Sequence, residues 1–261
     1  MNNFFKRSIS ALFLLSFFIF TFFSKNNSYF LILISIIFFI SLYEMSSLLK
    51  LKLIEQFPYW LFTLFFYIFF ILDLYTFSFV IFISTFFWIF IAPYSVYKAR
   101  IFLKSINFLY GLIILFGLLI SIHHLFDNDK FLLLISLIMV WVSDIFAYLT
   151  GKLYGKTKLA PNVSPGKTFE GIYGAIVANS LLNLIISIFF DYSFFALSLL
   201  TLLIVPLSIY GDLFESLLKR NANKKDSSSL IPGHGGVLDR IDGLCSTMPI
   251  IACINLLGFS I

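Results

Sequence analysis

Long apolar stretches broken by short polar interruptions run through the whole chain. A helix needs about 20 apolar residues, within a range of roughly 17–25, to cross the hydrocarbon core of a bilayer. The pattern predicts nine such spans, over 8–24, 28–43, 58–72, 75–94, 106–124, 131–150, 171–190, 193–210 and 244–261. The second and third are short and need interfacial flanks. The fold class that follows is all-α, a polytopic integral membrane protein forming one domain over 1–261. Residues 1–100 supply lipid-facing scaffold helices, and 101–261 carry two long polar loops, 151–170 and 211–243.

Charge sets the orientation, because Lys and Arg gather on the cytoplasmic side. With the amino terminus and the connections after spans two, four, six and eight on one side, 16 of the 18 cationic residues fall there. Only Lys25 and Lys130 oppose them. Merging spans three and four changes the parity and worsens the split to 13 against 5. The expectation is therefore a cytoplasmic amino terminus and an outside carboxyl terminus. Residues 8–23 behind Lys6 and Arg7 imitate a secretory signal, but Phe22-Phe23-Ser24-Lys25 has no small-x-small cleavage pattern, so an uncleaved first span is expected.

Composition agrees with this reading. The chain is 60% hydrophobic and 12% charged, against roughly 25% charged residues in a soluble domain. A soluble globular domain, a disordered chain and a nucleic-acid binder are excluded, and the lipid bilayer is the first partner implied. The net charge of +5 reports topology. Cys245 and Cys253, eight residues apart on one helix, are too far separated for a disulfide and read as buried small hydrophobes.

The two long loops hold eight of the 13 glycines, and long loops in a compact chain are usually functional. Charges inside or at the edge of a span are costly and mark functional sites by default. Asp144 sits well inside the sixth span, with Tyr148 on the same helical face. At the end of the eighth span, offsets of three, four and seven put Asp212, Glu215, Ser216 and Lys219 on one stripe. Asp239 and Asp242 stand just before the ninth span. Hard oxygen ligands gathered near one membrane face suit Mg²⁺, which binds through one or two carboxylates plus substrate phosphates. The adjacent Lys and Arg suit a polyphosphate. With three His and no Cys/His spacing, zinc is disfavoured, and His123 and His124 at the far interface read as structural.

Glycine-rich phosphate loops fail on inspection. Gly155-Lys156-Thr157 and Gly166-Lys167-Thr168 resemble the end of a Walker A loop, but Thr150 and Pro161 stand where its first glycine is required. Gly233-His234-Gly235-Gly236 lacks the third glycine of the dinucleotide fingerprint, because Leu238 is there. These glycines still allow backbone N–H groups close to an anion.

Ser216-Leu217-Leu218-Lys219-Arg220, then Lys225-Asp226, then Ile231-Pro232-Gly233-His234-Gly235-Gly236-Val237-Leu238-Asp239-Arg240-Ile241-Asp242 closely resembles the signature of phosphatidate cytidylyltransferases, the CDP-diacylglycerol synthases. Asp144 with Ala147-Tyr148, and Ser164-Pro165-Gly166-Lys167-Thr168-Phe169-Glu170-Gly171, agree with it. The family usually has a second Lys where Gly166 stands and Trp where Phe169 stands. The resemblance covers roughly 100–261.

It implies the reaction CTP + phosphatidate → CDP-diacylglycerol + diphosphate, with Mg²⁺ required and a monovalent cation such as K⁺ able to share the site. Asp212 and Asp239 correspond to the metal-binding acids. The catalytic set expected is Asp144, Asp212, Asp239, Asp242, Lys219 and Arg220. CTP and phosphate binding would fall to Ser164, Lys167, Thr168, Ser216, Lys225, His234, Gly235, Gly236 and Arg240. The site would face the cytoplasm at the inner membrane of a bacterium, with phosphatidate entering sideways from the leaflet. Oligomeric state is left open, a homodimer among the readings. A CTP-dependent lipid kinase of the polyprenol or phytol type and a transporter are the alternatives weighed. The complete His-Gly-Gly to Asp-Arg-Ile-Asp segment argues against the first, and the absence of a visible repeat against the second.

Overall fold

A computed structural model describes residues 12, 15–72, 78–100, 107–231 and 235–258. After a helical stretch over 15–22, the chain forms α1 (Ser28–Leu48), α2 (Leu53–Ile71) and α3 (Ser78–Phe86). A π-helical turn, Phe87–Ile91, joins α3 to α4 (Ala92–Tyr97). Then come α5 (Asn107–Asn128), α6 (Lys130–Tyr154), β1 (Lys158–Ala160), β2 (Ser164–Thr168), α7 (Phe169–Phe190), α8 (Phe194–Asn221) and α9 (Leu238–Leu256).

Local chemistry sets the boundaries. A helix start leaves N–H groups without intrahelical partners, and short polar side chains accept from them. Asp129 accepts from Leu132 N at 2.9 Å to open α6, and Thr168 accepts from Gly171 N at 3.2 Å to open α7. Asp191, in the left-handed region at φ 56°, ends α7. Seven of the described helices are long and apolar enough to cross a membrane, and their outward faces carry side chains such as Phe57, Phe189 and Phe195.

Successive helices alternate in direction, which separates two polar ends. At one end Lys130 Nζ donates to Asn27 at 3.1 Å, and His124 pairs with Asn255 at 3.0 Å. His123 lies 3.2 Å from Asp127 at that same end, in line with a structural role. The other end collects the carboxyl ends of α1, α6 and α8, the amino ends of α7 and α9, and the connections between them.

Several boundaries depart from the apolar pattern. The helices of the second and third spans run on to Leu48 and begin at Leu53, which removes their shortness. The loop read as 211–243 shrinks to 222–237, because α8 continues to Asn221 and α9 begins at Leu238. Its polar stripe extends the helix past the apolar stretch, since a helix needs satisfied backbone bonds and not apolar side chains to continue. The loop read as 151–170 holds an antiparallel hairpin, Lys158 opposite Thr168 and Ala160 opposite Ser164, the one sheet among the described residues of this helical fold. Asp73 and the segments 73–77 and 101–106, together with Lys6, Arg7 and the span ends that fall at 1–11, 13–14 and 259–261, lie outside the described residues.

α9 is the central helix. It packs against α3, α5 and α8 and is buried along nearly all its length. Without a strong hydrophobic drive inside lipid, helices associate through close packing of small residues and interhelical hydrogen bonds. At the α8–α9 contact, a Cβ on Gly211 would lie 2.5 Å from Ser246 Oγ, while Ser246 Oγ donates to Leu207 O at 2.7 Å. One turn further along α8, Phe214 packs edge-on against Phe87 and Trp88 of the π turn, with centroids 5.4 and 5.6 Å away. Hydrogen bonds from Asn179 to Ser143 and from Asn183 to Thr201, each 2.9 Å, tie α7 to α6 and α8.

Candidate active site

The polar stripe of α8 forms as its spacing predicts. Ser216 Oγ donates to Asp212 at 3.2 Å, and Lys219 Nζ donates to Glu215 at 2.8 Å, each one turn apart. The stripe is completed from two other elements. The hairpin presents Lys167, whose ammonium forms an ion pair with Asp212. The first turn of α9 presents Asp239, which accepts from Lys219 Nζ at 2.6 Å.

Two ion pairs therefore join three elements. Lys219 is the more deeply set of the two lysines, its side chain 12% exposed against 25% for Lys167. Asp144, from α6, and Asp242, from α9, stand within electrostatic reach of Asp212, and Asp144 also senses Lys167 and Arg240. Burial alone would lower the Lys167 pKa, but the carboxylates of Asp212, Asp144 and Asp242 outweigh it and hold the pKa above the ordinary lysine value. The structure brings Asp144, Asp212 and Asp242, from three helices, to one end of the bundle. Asp239 joins them through Glu215, which senses both it and Asp212.

The remaining expected residues divide into those at the centre and those around it. Asp239 Oδ2 accepts from Ser227 N at 2.9 Å, Ser227 Oγ at 2.8 Å and Gly236 N at 2.9 Å. The Gly236 amide thus faces a carboxylate in this structure. Gly235, at φ 84°, makes the preceding left-handed turn. Thr168, nearly buried, spends its hydroxyl oxygen on capping α7. Ser164 opens β2 and is half-buried, while Arg220, Lys225 and Arg240 are exposed around the rim. His234, with Pro232 and Gly233, lies outside the described residues.

Two acids were not singled out as site residues from the sequence. Glu215 was placed on the stripe without a role, yet its Oε1 is buried with no hydrogen-bond partner. Glu44, on α1, stands directly past the 28–43 span, where the cost of a charge at a span edge was a signal that the sequence reading passed over.

A hard divalent cation fits these residues. The donors are carboxylate and hydroxyl oxygens, one buried carboxylate oxygen is orphaned, and lysine ammonium groups sit on Asp212 and Asp239 as compensating positive charge. Among the described residues no three acids, His or Cys cluster tightly enough to hold a metal by themselves. Mg²⁺ generally takes one or two carboxylates and completes its octahedron with water and substrate phosphates.

Fold and site together define a polytopic membrane protein with lysine–carboxylate pairs gathered at one polar end. The chain belongs to the cytidylyltransferase family, whose family model matches residues 5–257. It is similar to the phosphatidate cytidylyltransferase of Pseudomonas aeruginosa, 46% identical over 126 residues covering 47% of this chain and 46% of that protein. The corresponding protein of Haemophilus influenzae is 45% identical over 128 residues, covering 47% and 44%. That of Rickettsia prowazekii is 35% identical over 164 residues, covering 58% and 72%. The match thus spans about half the length of the first of these relatives.

Proposed function

We propose that this protein is a phosphatidate cytidylyltransferase, joining CTP and phosphatidate into CDP-diacylglycerol with release of diphosphate. One observation carries the reading: Lys167 and Lys219, from a hairpin and a helix, are held on Asp212 and Asp239 at one end of the bundle. A phosphate oxygen of the lipid must attack the α-phosphorus of CTP, which brings two polyanions together. Catalysis of such transfers rests on positioning and on neutralising charge. Lys167 and Lys219 neutralise the triphosphate and the diphosphate leaving group, with Arg220, Lys225 and Arg240 attracting nucleotide to the rim. Ser164 and Ser216 donate to phosphate oxygens, and His234 orients a phosphate.

Asp212 and Asp239 would hold Mg²⁺, with Asp144, Asp242 and Glu215 keeping the surroundings anionic. When bound, the ion supplies charge neutralisation at phosphate oxygens that ammonium groups reach less closely; K⁺ is a further cation the site would accept. Near Asp144, the exposed side chains of Ile145, Tyr148 and Leu149 give an apolar wall along which phosphatidate enters from the leaflet.

Nine spans with the amino terminus and the site in the cytoplasm of a bacterial inner membrane fit the cation distribution and the alternating helix directions. The test is to supply purified protein with α-labelled CTP, phosphatidate and Mg²⁺. Label is expected in the lipid fraction. Label remaining in soluble CDP would overturn the reading in favour of phosphoryl transfer. The Asp239→Asn chain is expected to lose Mg²⁺-dependent turnover, and full activity in it would remove the metal assignment.

A further inference from the structure

Glu44 lies near the carboxyl end of α1, in the part of the chain expected to be scaffold. It is 1% exposed, yet its carboxylate is fully engaged. Oε1 accepts from Ser228 Oγ at 2.5 Å and Val237 N at 3.0 Å, and Oε2 accepts from Leu238 N at 2.7 Å, with Ser227 Oγ, which shares its one proton with Asp239, 3.1 Å away. One turn further on, Ser47 receives the Lys224 ammonium. The connection between α8 and α9 is thus held near both its ends by α1.

The chemistry explains why a carboxylate is needed. Val237 and Leu238 open α9, where backbone N–H groups have no intrahelical partner and negative charge is favoured. Val237 supplies no side-chain cap of its own, so Glu44 caps α9 from nearly two hundred residues away in sequence. The same loop faces Asp239 on its other side: Ser227 touches both carboxylates, and Gly236 N donates to Asp239. A Cβ on Gly236 would fall 2.5 Å from Glu44 Oε1, so the carboxylate packs directly on the turn that presents Asp239.

We propose that Glu44 is a positioning residue: it clamps Ser227, Ser228 and the start of α9 so that Asp239 meets Lys219 and the substrate phosphates in one fixed place. Its catalytic consequence rests on the cytidylyltransferase reading; the clamp itself does not. Replacing Glu44 by Gln keeps the side-chain volume but turns one acceptor into a donor facing N–H and O–H groups. Those donors then lose a charged acceptor, so local opening becomes less costly and amide exchange there reports it.

The experiment compares full-length wild type, Glu44→Gln and Ser228→Ala in lipid nanodiscs. Hydrogen–deuterium exchange is read without substrate, and kcat and KM for phosphatidate with Mg²⁺ and CTP. Glu44→Gln is expected to speed exchange at Gly236 to Asp239 by about tenfold or more, as loss of a charge-assisted hydrogen bond implies. Its kcat should fall by a similar factor while KM stays within about twofold, because the lipid-binding wall near Asp144 is untouched. Ser228→Ala removes one donor from the loop side and should move both readouts the same way by less, whether or not the Glu44→Gln chain folds. Unchanged exchange in these variants, or wild-type kcat despite faster exchange, would overturn the proposal. A wild-type chain that leaves CTP intact would sink the reaction instead, and the exchange comparison would then decide the clamp alone.

Discussion

Replacing Gly211 by Ala adds one methyl group where the two site-bearing helices touch. α8 carries Asp212, Glu215 and Lys219; α9 carries Asp239 and Asp242. The new Cβ would lie 2.5 Å from Ser246 Oγ and 3.0 Å from the Asp242 carbonyl carbon, against 3.4–4 Å for ordinary contact. The Asp242 carbonyl oxygen is closer still. Ser246 is hydrogen-bonded into the interface through Leu207 O and Gly243 O, and the Asp242 carbonyl is backbone, so neither yields easily. The helices must part by about 0.5–1 Å, and overpacking of this kind costs about 1–3 kcal/mol. A misplacement near 1 Å between groups that must act together costs about 10²-fold in rate. Turnover of α-labelled CTP into lipid should fall by about that factor, and the melting temperature in detergent should drop by several degrees. Gly166→Ala is the stability control: nothing lies within 4 Å of a Cβ there, and its melting temperature should match the wild type. A Gly211→Ala chain with wild-type turnover would refute the claim that the α8–α9 spacing sets the site.

Three further substitutions probe the charges. Lys219→Met leaves Glu215 and Asp239 facing each other without their shared ammonium; breaking a buried pair costs about 3–5 kcal/mol. The variant should melt earlier, and adding Glu215→Gln should recover part of the stability without recovering turnover; a Lys219→Met chain as stable as wild type would contradict the pairing. Lys167 has a raised pKa, so its contribution is present below the unfolded-state value and is lost only as pH climbs through the still higher folded value. The ratio of wild-type to Lys167→Arg turnover should therefore stay constant between about pH 7 and 9, since Arg is protonated throughout. A ratio that falls across that window would show Lys167 losing its proton early.

Much of the architecture was legible in one dimension. Apolar runs near bilayer length located the helices, and the short polar breaks around Asp129 and Asp191 between them form tight turns. Offsets of three, four and seven put Asp212, Glu215, Ser216 and Lys219 together because a helix repeats every 3.6 residues, and the structure joins them as one-turn pairs. Legibility failed where the apolar pattern was taken as the limit of the helix. α8 continues eleven residues past the 193–210 stretch, to Asn221, because its backbone bonds do not depend on lipid.

Helical periodicity, and with it the sequence, reaches about two turns along the chain. Within that range it determined the spans, the stripe on α8 and the misplaced acid at Asp144. Which lysine meets which carboxylate lies beyond it. Lys219 meets Asp239 twenty residues on, Lys167 meets Asp212 across a hairpin, and Glu44 meets the start of α9 from the other end of the chain. Those contacts follow from how closely helices approach and at what height they pass one another, quantities fixed by small residues such as Gly211 and Gly236 and by aromatic packing around Phe214. Tertiary structure alone decided them, because packing, unlike propensity, joins residues without regard to their distance along the chain.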